Sequence, residues 1–238
     1  FEFRQVHGLF DDSVGLLNIM NEPIKVDIWS DVACPWCYIG KRKLETAIAE
    51  FTAEGTETPI LVEYHSFLLN PDMPVDYEGS QTDYLADHKG ISREQVVSMT
   101  ERLTAIADSV GLKYDMKHMH MTNTVLAHQL LHYAKTQGKQ VQMKERIMAA
   151  HFVEALHVGR IDVLAQLAAD VGLDRAEAKR VLESGEFIPA FEADVEQARA
   201  YGISGVPFFV IDGKYGVSGA QNPDVFVNAF NQVLAERS

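Results

Sequence analysis

Residues 24–40 read IKVDIWSDVACPWCYIG, and this stretch decides the fold. Ile24 to Trp29 alternates apolar with polar residues and is rich in β-branched side chains, which predicts a strand. Residues 41–51 then repeat apolar side chains at helical spacing. The pair Cys34 and Cys37 therefore falls at a strand-to-helix junction.

This junction places the first cysteine where a helix can activate a thiol. With Cys34 as the N-cap and Pro35 at the first helical position, the free N–H groups of the first turn are predicted to point at the Cys34 sulfur. Because these donors and the positive helix end favour a thiolate, we expect the pKa of Cys34 to lie below the usual thiol value of about 8.5. Cys37 lies one turn along the helix, within disulfide reach, and is expected to resolve a mixed disulfide.

Two other interpretations of the cysteine pair remain open. The spacing also suits half of a zinc site, whose remaining ligands would come from histidines such as His118 and His120. An inert structural disulfide is the second alternative, although so short a loop constrains the unfolded chain little.

A long helical block interrupts the strand pattern. Residues 59–67 predict a second strand, which completes a β-α-β unit. Residues 70–200 predict helix after helix, including one that starts at the capping box of Ser92 with Gln95. Strand character returns only at 206–211.

The last segment closes the sheet. Asp212-Gly213 is a two-residue hairpin signal before a returning strand, and Pro223 opens a final helix. We therefore predict an α/β domain interrupted by an all-helical insertion domain. Its divisions are 20–69 and 201–238 for the two parts of the α/β domain, 70–200 for the insertion, and 1–19 for a leader or vector-encoded segment.

Charge and hydropathy limit the partners. The 238 residues carry 21 Lys plus Arg against 34 Asp plus Glu, and the net charge of −13 argues against nucleic acid or an anionic membrane surface. No apolar run reaches the roughly 18 residues that span a bilayer. Asp11 and Asp12 stand where a signal peptide carries positive charge, so we expect a cytoplasmic protein, as a monomer or homodimer.

The combined motifs resemble the thioredoxin superfamily, and more closely the DsbA family and its FrnE-like branch. The residues that carry the resemblance are 27–41, Asn123-Thr124 with Ala127-His128, 205–213 and 218–221. The resemblance implies a thioredoxin fold and a thiol–disulfide oxidoreductase that needs no metal or organic cofactor. Its substrates would be proteins or small molecules that contain a thiol or disulfide.

The resemblance also implies roles for single residues. Pro207 would be a cis-proline facing the cysteines, and Val206 would offer its backbone to an extended substrate. Pro35, Trp36 and Asn123 are the other predicted substrate-binding residues.

One departure from the family concerns proton transfer. Relatives place a buried acid six residues before the first cysteine, where this chain has Ile28. Asp27 and Asp31 are the nearby carboxylates, so we name both as candidates for moving the Cys37 proton.

Two further function classes stay open. A related branch of isomerases and glutathione-dependent transferases, including 2-hydroxychromene-2-carboxylate isomerase and the kappa class, has a similar nucleophile loop, so Cys34 could act on a small electrophile. A holdase that grips unfolded chains with its helical block is the other alternative.

Histidines and methionines of the insertion offer a second candidate site. His118 and His120 alternate with Met116, Met119 and Met121, a pattern that suits a soft metal or thioether-lined substrate site, or a loop with Met packed on the core. His128 and His132, one turn apart among leucines, could bind a metal, but we interpret them as interface or core-edge residues.

Overall fold

The computed structural model describes residues 22–237 and contains a four-stranded sheet in the order β2-β1-β3-β4. The strands are β1 (Ile24–Ser30), β2 (Ile60–Ser66), β3 (Phe208–Ile211) and β4 (Tyr215–Ser218). Strand β1 pairs parallel with β2 and antiparallel with β3, which pairs antiparallel with β4. The predicted leader, 1–19, lies outside the described residues.

Most of the helices follow one another along the chain without an intervening strand. They are α1 (Pro35–Ala53), α2 (Gln81–Lys89), α3 (Arg93–Ser109), α4 (Val125–Thr136), α5 (Gln140–Phe152), α6 (Ile161–Asp170), α7 (Arg175–Ser184), α8 (Ile188–Ala200) and α9 (Pro223–Arg237). Helices α2 to α8 separate β2 from β3, so the predicted fold class is confirmed. The sequence signals did not single out α2 or α5 as separate helices.

The end of strand β1 is buried on both faces because its alternate side chains meet different parts of the fold. Val26 and Ile28 pack with α1 and α9 in one core cluster. Trp29, on the opposite face, packs with Ala198 and Ile203. A strand held from both sides fixes the position of the loop that follows it, and that loop carries Cys34.

Helix α5 joins the helical block to the α/β part. The Gln140 side chain accepts from the Tyr64 N–H (3.0 Å) and donates to the Tyr64 carbonyl (2.8 Å), so it occupies backbone groups on the edge strand β2. Glu145, one turn further along α5, accepts from Tyr38 (2.6 Å) and Lys41 (2.5 Å) on α1. Helix α5 is therefore fixed against both elements that flank the cysteines.

An ion network joins β2 to helix α8. His65 lies between Asp27 (2.7 Å) and Asp194 (2.9 Å), and its ring stacks on Trp29 at 4.5 Å. Burial lowers the pKa of His65, but the two carboxylates outweigh it and raise the pKa from 6.5 to about 9. The same network depresses the pKa of Asp194 below its usual value.

His65→Gln is expected to remove most of the decrease in unfolding free energy that the wild type shows at alkaline pH. Because the folded pKa is raised, the protonated ring stabilises the fold fully below about pH 6.5, and this contribution is lost as pH rises through about 9. We expect wild-type unfolding free energy to fall by about 2 kcal/mol across that range. Urea unfolding at several pH values measures it, with the exposed His118→Gln as control. An equal alkaline loss in His65→Gln would contradict the assignment.

Candidate active site

Both cysteines lie at the start of α1, as predicted. Cys34 is the N-cap, Pro35 occupies the first turn, and both thiols are free and buried. The Cys34 sulfur makes no helix-capping hydrogen bond. Its S–H instead donates to the Val206 carbonyl at 3.5 Å, across the site.

The loop before β3 forms the opposite wall of the site. The Val206–Pro207 peptide bond is cis, as the family resemblance implied. Gly40 of α1 permits the close approach, since a Cβ there would stand 3.0 Å from Pro207 Cγ. The Pro207 carbonyl accepts from the Gly219 N–H (2.8 Å), which ties this loop to the end of β4.

The two thiols titrate as a pair, and this changes the expectation for Cys34. The pKa of Cys34 is raised, because the adjacent Cys37 thiol and burial both disfavour its thiolate. Burial raises the pKa of Cys37 as well, but the Cys34 thiol and the charge of Lys144 lower it more, so its net shift is downward. In the dithiol, the adjacent thiol and burial therefore oppose the lowering of the Cys34 pKa that was expected from the helix end.

Asp31 holds the loop that carries Cys34. Its carboxylate accepts from the Ala33 N–H (3.2 Å), the Leu69 N–H (2.8 Å), the Thr124 hydroxyl (2.8 Å) and His128 Nε2 (3.2 Å). Burial raises the pKa of Asp31, yet these donors outweigh it and keep the carboxylate ionised. Asp31 lines the same cavity as Cys34.

The other predicted residues are placed differently. Asp27 is engaged by His65 and Lys25 on the sheet. The Asn123 side chain accepts from the Val125 N–H and donates to the Met73 carbonyl, so it orders the start of α4. Its role in substrate binding stays a prediction.

A cavity of about 450 Å³ opens above Cys34. Helices α2 and α3 supply part of its wall, and Trp36, which is 41% exposed, lies on its lining. Its further lining includes Met73, Met99, Met116, Met119, Met121, Asp31, His151 and Val206. The predicted methionine cluster thus faces the cysteine site, together with two methionines that the sequence pattern did not connect with it.

The histidines of the insertion do not gather at the cysteines. His118 bonds to Asp115 at the surface, and the His120 ring contacts His157. His128 bonds to Asp31, and His132 bonds to Ser66, and both rings are buried between elements, in agreement with interface or core-edge positions. Within residues 22–237, the one grouping of potential metal ligands is Asp27, Glu63 and His65, which includes neither cysteine.

Two buried groups on α5 were not anticipated. Lys144 is fully buried, and burial lowers its pKa. His151 lines the cavity, and burial lowers its pKa to about 4, which keeps the ring neutral. No cap or motif marks either residue, because their positions depend on how α5 docks.

A family model described as a DSBA-like thioredoxin domain matches residues 25–231. The chain belongs to this family. It is accordingly a DsbA-family thiol–disulfide oxidoreductase, while the FrnE-like branch stays a prediction. Within residues 22–237, none of the helices is long and apolar enough to cross a membrane.

Solved structures share the whole architecture. A probable DsbA oxidoreductase from Streptomyces coelicolor is 35% identical, with a TM-score of 0.83 over 90% of this chain and 92% of that one. The cytosolic disulfide reductase DsbM from Pseudomonas aeruginosa is 20% identical, with a TM-score of 0.62 over 89% and 98%. A 2-hydroxychromene-2-carboxylate isomerase is 13% identical, with a TM-score of 0.65 over 89% and 97%. The last two similarities establish the fold alone.

Proposed function

We propose that the protein exchanges disulfides with its substrates through Cys34 and Cys37, by way of a mixed disulfide on Cys34. The observation that carries this proposal is the 3.5 Å contact between the Cys34 sulfur and the Val206 carbonyl, beside the cis-proline and at the cavity. A substrate sulfur bonded to Cys34 would lie against Val206 and Pro207.

The chemistry balances with the two cysteines alone. The Cys34 thiolate attacks a substrate disulfide, and one substrate sulfur leaves as a thiolate. Cys37 then attacks the Cys34 sulfur, forming the Cys34–Cys37 disulfide and releasing the second substrate thiolate. The cysteines lose two electrons, which the substrate disulfide gains, and the reverse sequence oxidises a substrate dithiol.

The cavity favours small or extended substrates. Cys34 is only 4% exposed, so a flat protein surface cannot reach its sulfur directly. A space of about 450 Å³ is in the range of small-molecule sites and also accepts one extended peptide segment. The many methionines on its wall suit varied apolar groups.

Incubation of the reduced wild-type protein with a small disulfide tests the proposal. We expect both thiols to disappear into an intramolecular disulfide, with two substrate thiols released per chain, as measured by intact mass and thiol titration. The isomerase or transferase alternative predicts instead that small electrophiles are turned over while both protein thiols persist. That second result would overturn the proposal.

A further inference from the structure

The phenol of Tyr114 reaches the cysteine motif from the helical insertion. Tyr114 lies in the segment that connects α3 to α4, and its hydroxyl donates to the Pro35 carbonyl at 2.7 Å. The two residues are 79 positions apart in the sequence. Pro35 stands between Cys34 and Cys37, so this hydrogen bond joins the insertion to the short peptide that links the two reacting sulfurs.

The ring of Tyr114 is held on several sides. It is buried and belongs to the core cluster that contains both cysteines. Its centroid lies 5.0 Å from that of the Phe152 ring, and it stacks on the Tyr38 ring at 6.1 Å. The adjoining backbone is fixed as well, because the Asp115 N–H donates to the Phe152 carbonyl at 2.7 Å. Packing therefore places the hydroxyl at Pro35 before any substrate arrives.

The Tyr114 hydroxyl keeps its proton throughout the reaction. Burial raises the pKa of Tyr114, and the neighbouring Tyr38, Cys34 and Cys37 raise it further. The phenol is therefore a hydrogen-bond donor in both the dithiol and the thiolate state of the cysteines. Its contact with the Pro35 carbonyl does not depend on which cysteine is ionised.

The peptide between the cysteines determines how Cys37 reaches a mixed disulfide. When substrate is bound to Cys34, the Cys37 sulfur has to approach the Cys34 sulfur in line with the bond that breaks. Pro35 fixes only its own φ angle, and the Trp36 side chain is exposed. Within residues 22–237, Tyr114 makes the one hydrogen bond that reaches Pro35 or Trp36 from outside α1.

We propose that Tyr114 is a positioning residue for the second step of disulfide exchange. The inference rests on the proposed function. By holding the Pro35 carbonyl, Tyr114 keeps the Cys37 sulfur aligned with the bond between Cys34 and the substrate. Cys37 gives its proton to solvent and its thiolate forms the bond to the Cys34 sulfur. The substrate sulfur leaves as a thiolate with the electron pair of the broken bond.

Release of thionitrobenzoate separates the two steps. Reduced protein is mixed with dithionitrobenzoate in a stopped-flow spectrometer, at mildly acidic to neutral pH so that both releases are slow enough to follow. The first release depends on reagent concentration and reports attack by Cys34, whereas the second does not and reports attack by Cys37. Tyr114→Phe keeps the stacked ring and removes the hydroxyl. We expect it to slow the second release about fivefold and the first by less than about twofold.

The pH profile distinguishes positioning from a change in thiol acidity. Because the hydroxyl acts on geometry, Tyr114→Phe should slow the second release by the same factor at each pH and leave the midpoint of the profile unchanged. General damage to the site would instead slow both releases, since Cys34 and Cys37 belong to the same core cluster as Tyr114.

Tyr133→Phe is the matched control. Tyr133 is another buried tyrosine of the insertion, but it packs against Phe187 in the helical core and not in the cluster that contains the cysteines. Its variant should keep both releases at the wild-type rates. Both variants are expected to fold because each retains its aromatic ring, and thermal melts check this directly.

The outcomes separate this inference from the proposed function. A wild-type protein that never releases the second thionitrobenzoate overturns both. Normal wild-type release combined with an unchanged second release in Tyr114→Phe, with equal slowing of both releases, or with slowing that disappears as pH rises overturns the role of Tyr114 alone. Equal slowing by Tyr133→Phe also overturns it. If Tyr114→Phe does not fold, Tyr114 is a structural residue and the inference is wrong.

Discussion

Cys34→Ser is expected to reduce disulfide exchange by about a thousandfold or more, because it removes the sulfur that meets substrate. Cys37→Ser should instead block the second step, in which the mixed disulfide is resolved. It keeps the attacking thiol, so the first step proceeds and the mixed disulfide persists. Intact mass after exposure to a disulfide substrate should therefore show a stable adduct on Cys37→Ser and little adduct on Cys34→Ser.

The geometry explains why the two cysteines are not equivalent. Cys34 lines the cavity and contacts Val206, whereas Cys37 is 3% exposed and is absent from the cavity lining. Ala53→Ser, at the exposed far end of α1, is the matched control and should exchange disulfides like wild type. Adducts that form mainly on Cys37 in Cys34→Ser would reverse the roles.

Local signals in the sequence predicted the centre of this site. The strand at 24–29 and the N-terminal proline required α1 to begin after Cys34, as it does. Asp212-Gly213 predicted the hairpin, and both residues have positive φ angles of 54° and 67°. Such features depend on a few neighbouring residues, which is why they can be read without a structure.

Helices α2 and α5 were not predicted from such local signals. Ser80 caps α2 by accepting from the Asp83 N–H, so a cap signal was present and overlooked. Lys139 precedes α5 without a capping hydrogen bond, and the first turn of α5 carries no acid. A helix that begins without a capping residue has no sequence signal at its start, because the helix is stabilised by tertiary packing.

The pKa values of the cysteines could not be predicted for a related reason. The helix end acts on Cys34 as the sequence implies, but burial and the adjacent thiol depend on the assembled site. The lysine that lowers the pKa of Cys37 lies 107 positions along the chain, on a helix of the insertion. Only the tertiary contacts of α5 reveal it.

Asp31→Asn is expected to cost about 2 to 4 kcal/mol of unfolding free energy. The carboxylate of Asp31 is 1% exposed and accepts from four donors. An amide keeps the shape but offers one oxygen, and its NH₂ group faces donors, so at least one buried N–H or O–H loses its partner. Because these donors lie in the loop before Cys34 and on α4, disulfide exchange should slow as well.

Urea unfolding of Asp31→Asn, Thr124→Val and the double variant measures this network. Thr124→Val removes one donor and should cost about 1 kcal/mol, and the double variant should cost less than the sum because the two side chains share a hydrogen bond. Asp87→Asn, on the exposed face of α2, should change stability by no more than about 0.5 kcal/mol.

The stabilising effect of Asp31 should depend on pH. Because the pKa of Asp31 is depressed in the folded state, its contribution to the unfolding free energy is present above about pH 4 and is lost on acidification. The difference in unfolding free energy between wild type and Asp31→Asn should therefore narrow as pH falls. A loss below about 1 kcal/mol near neutral pH, or strict additivity with Thr124→Val, would show that the loop before Cys34 is held by its backbone alone.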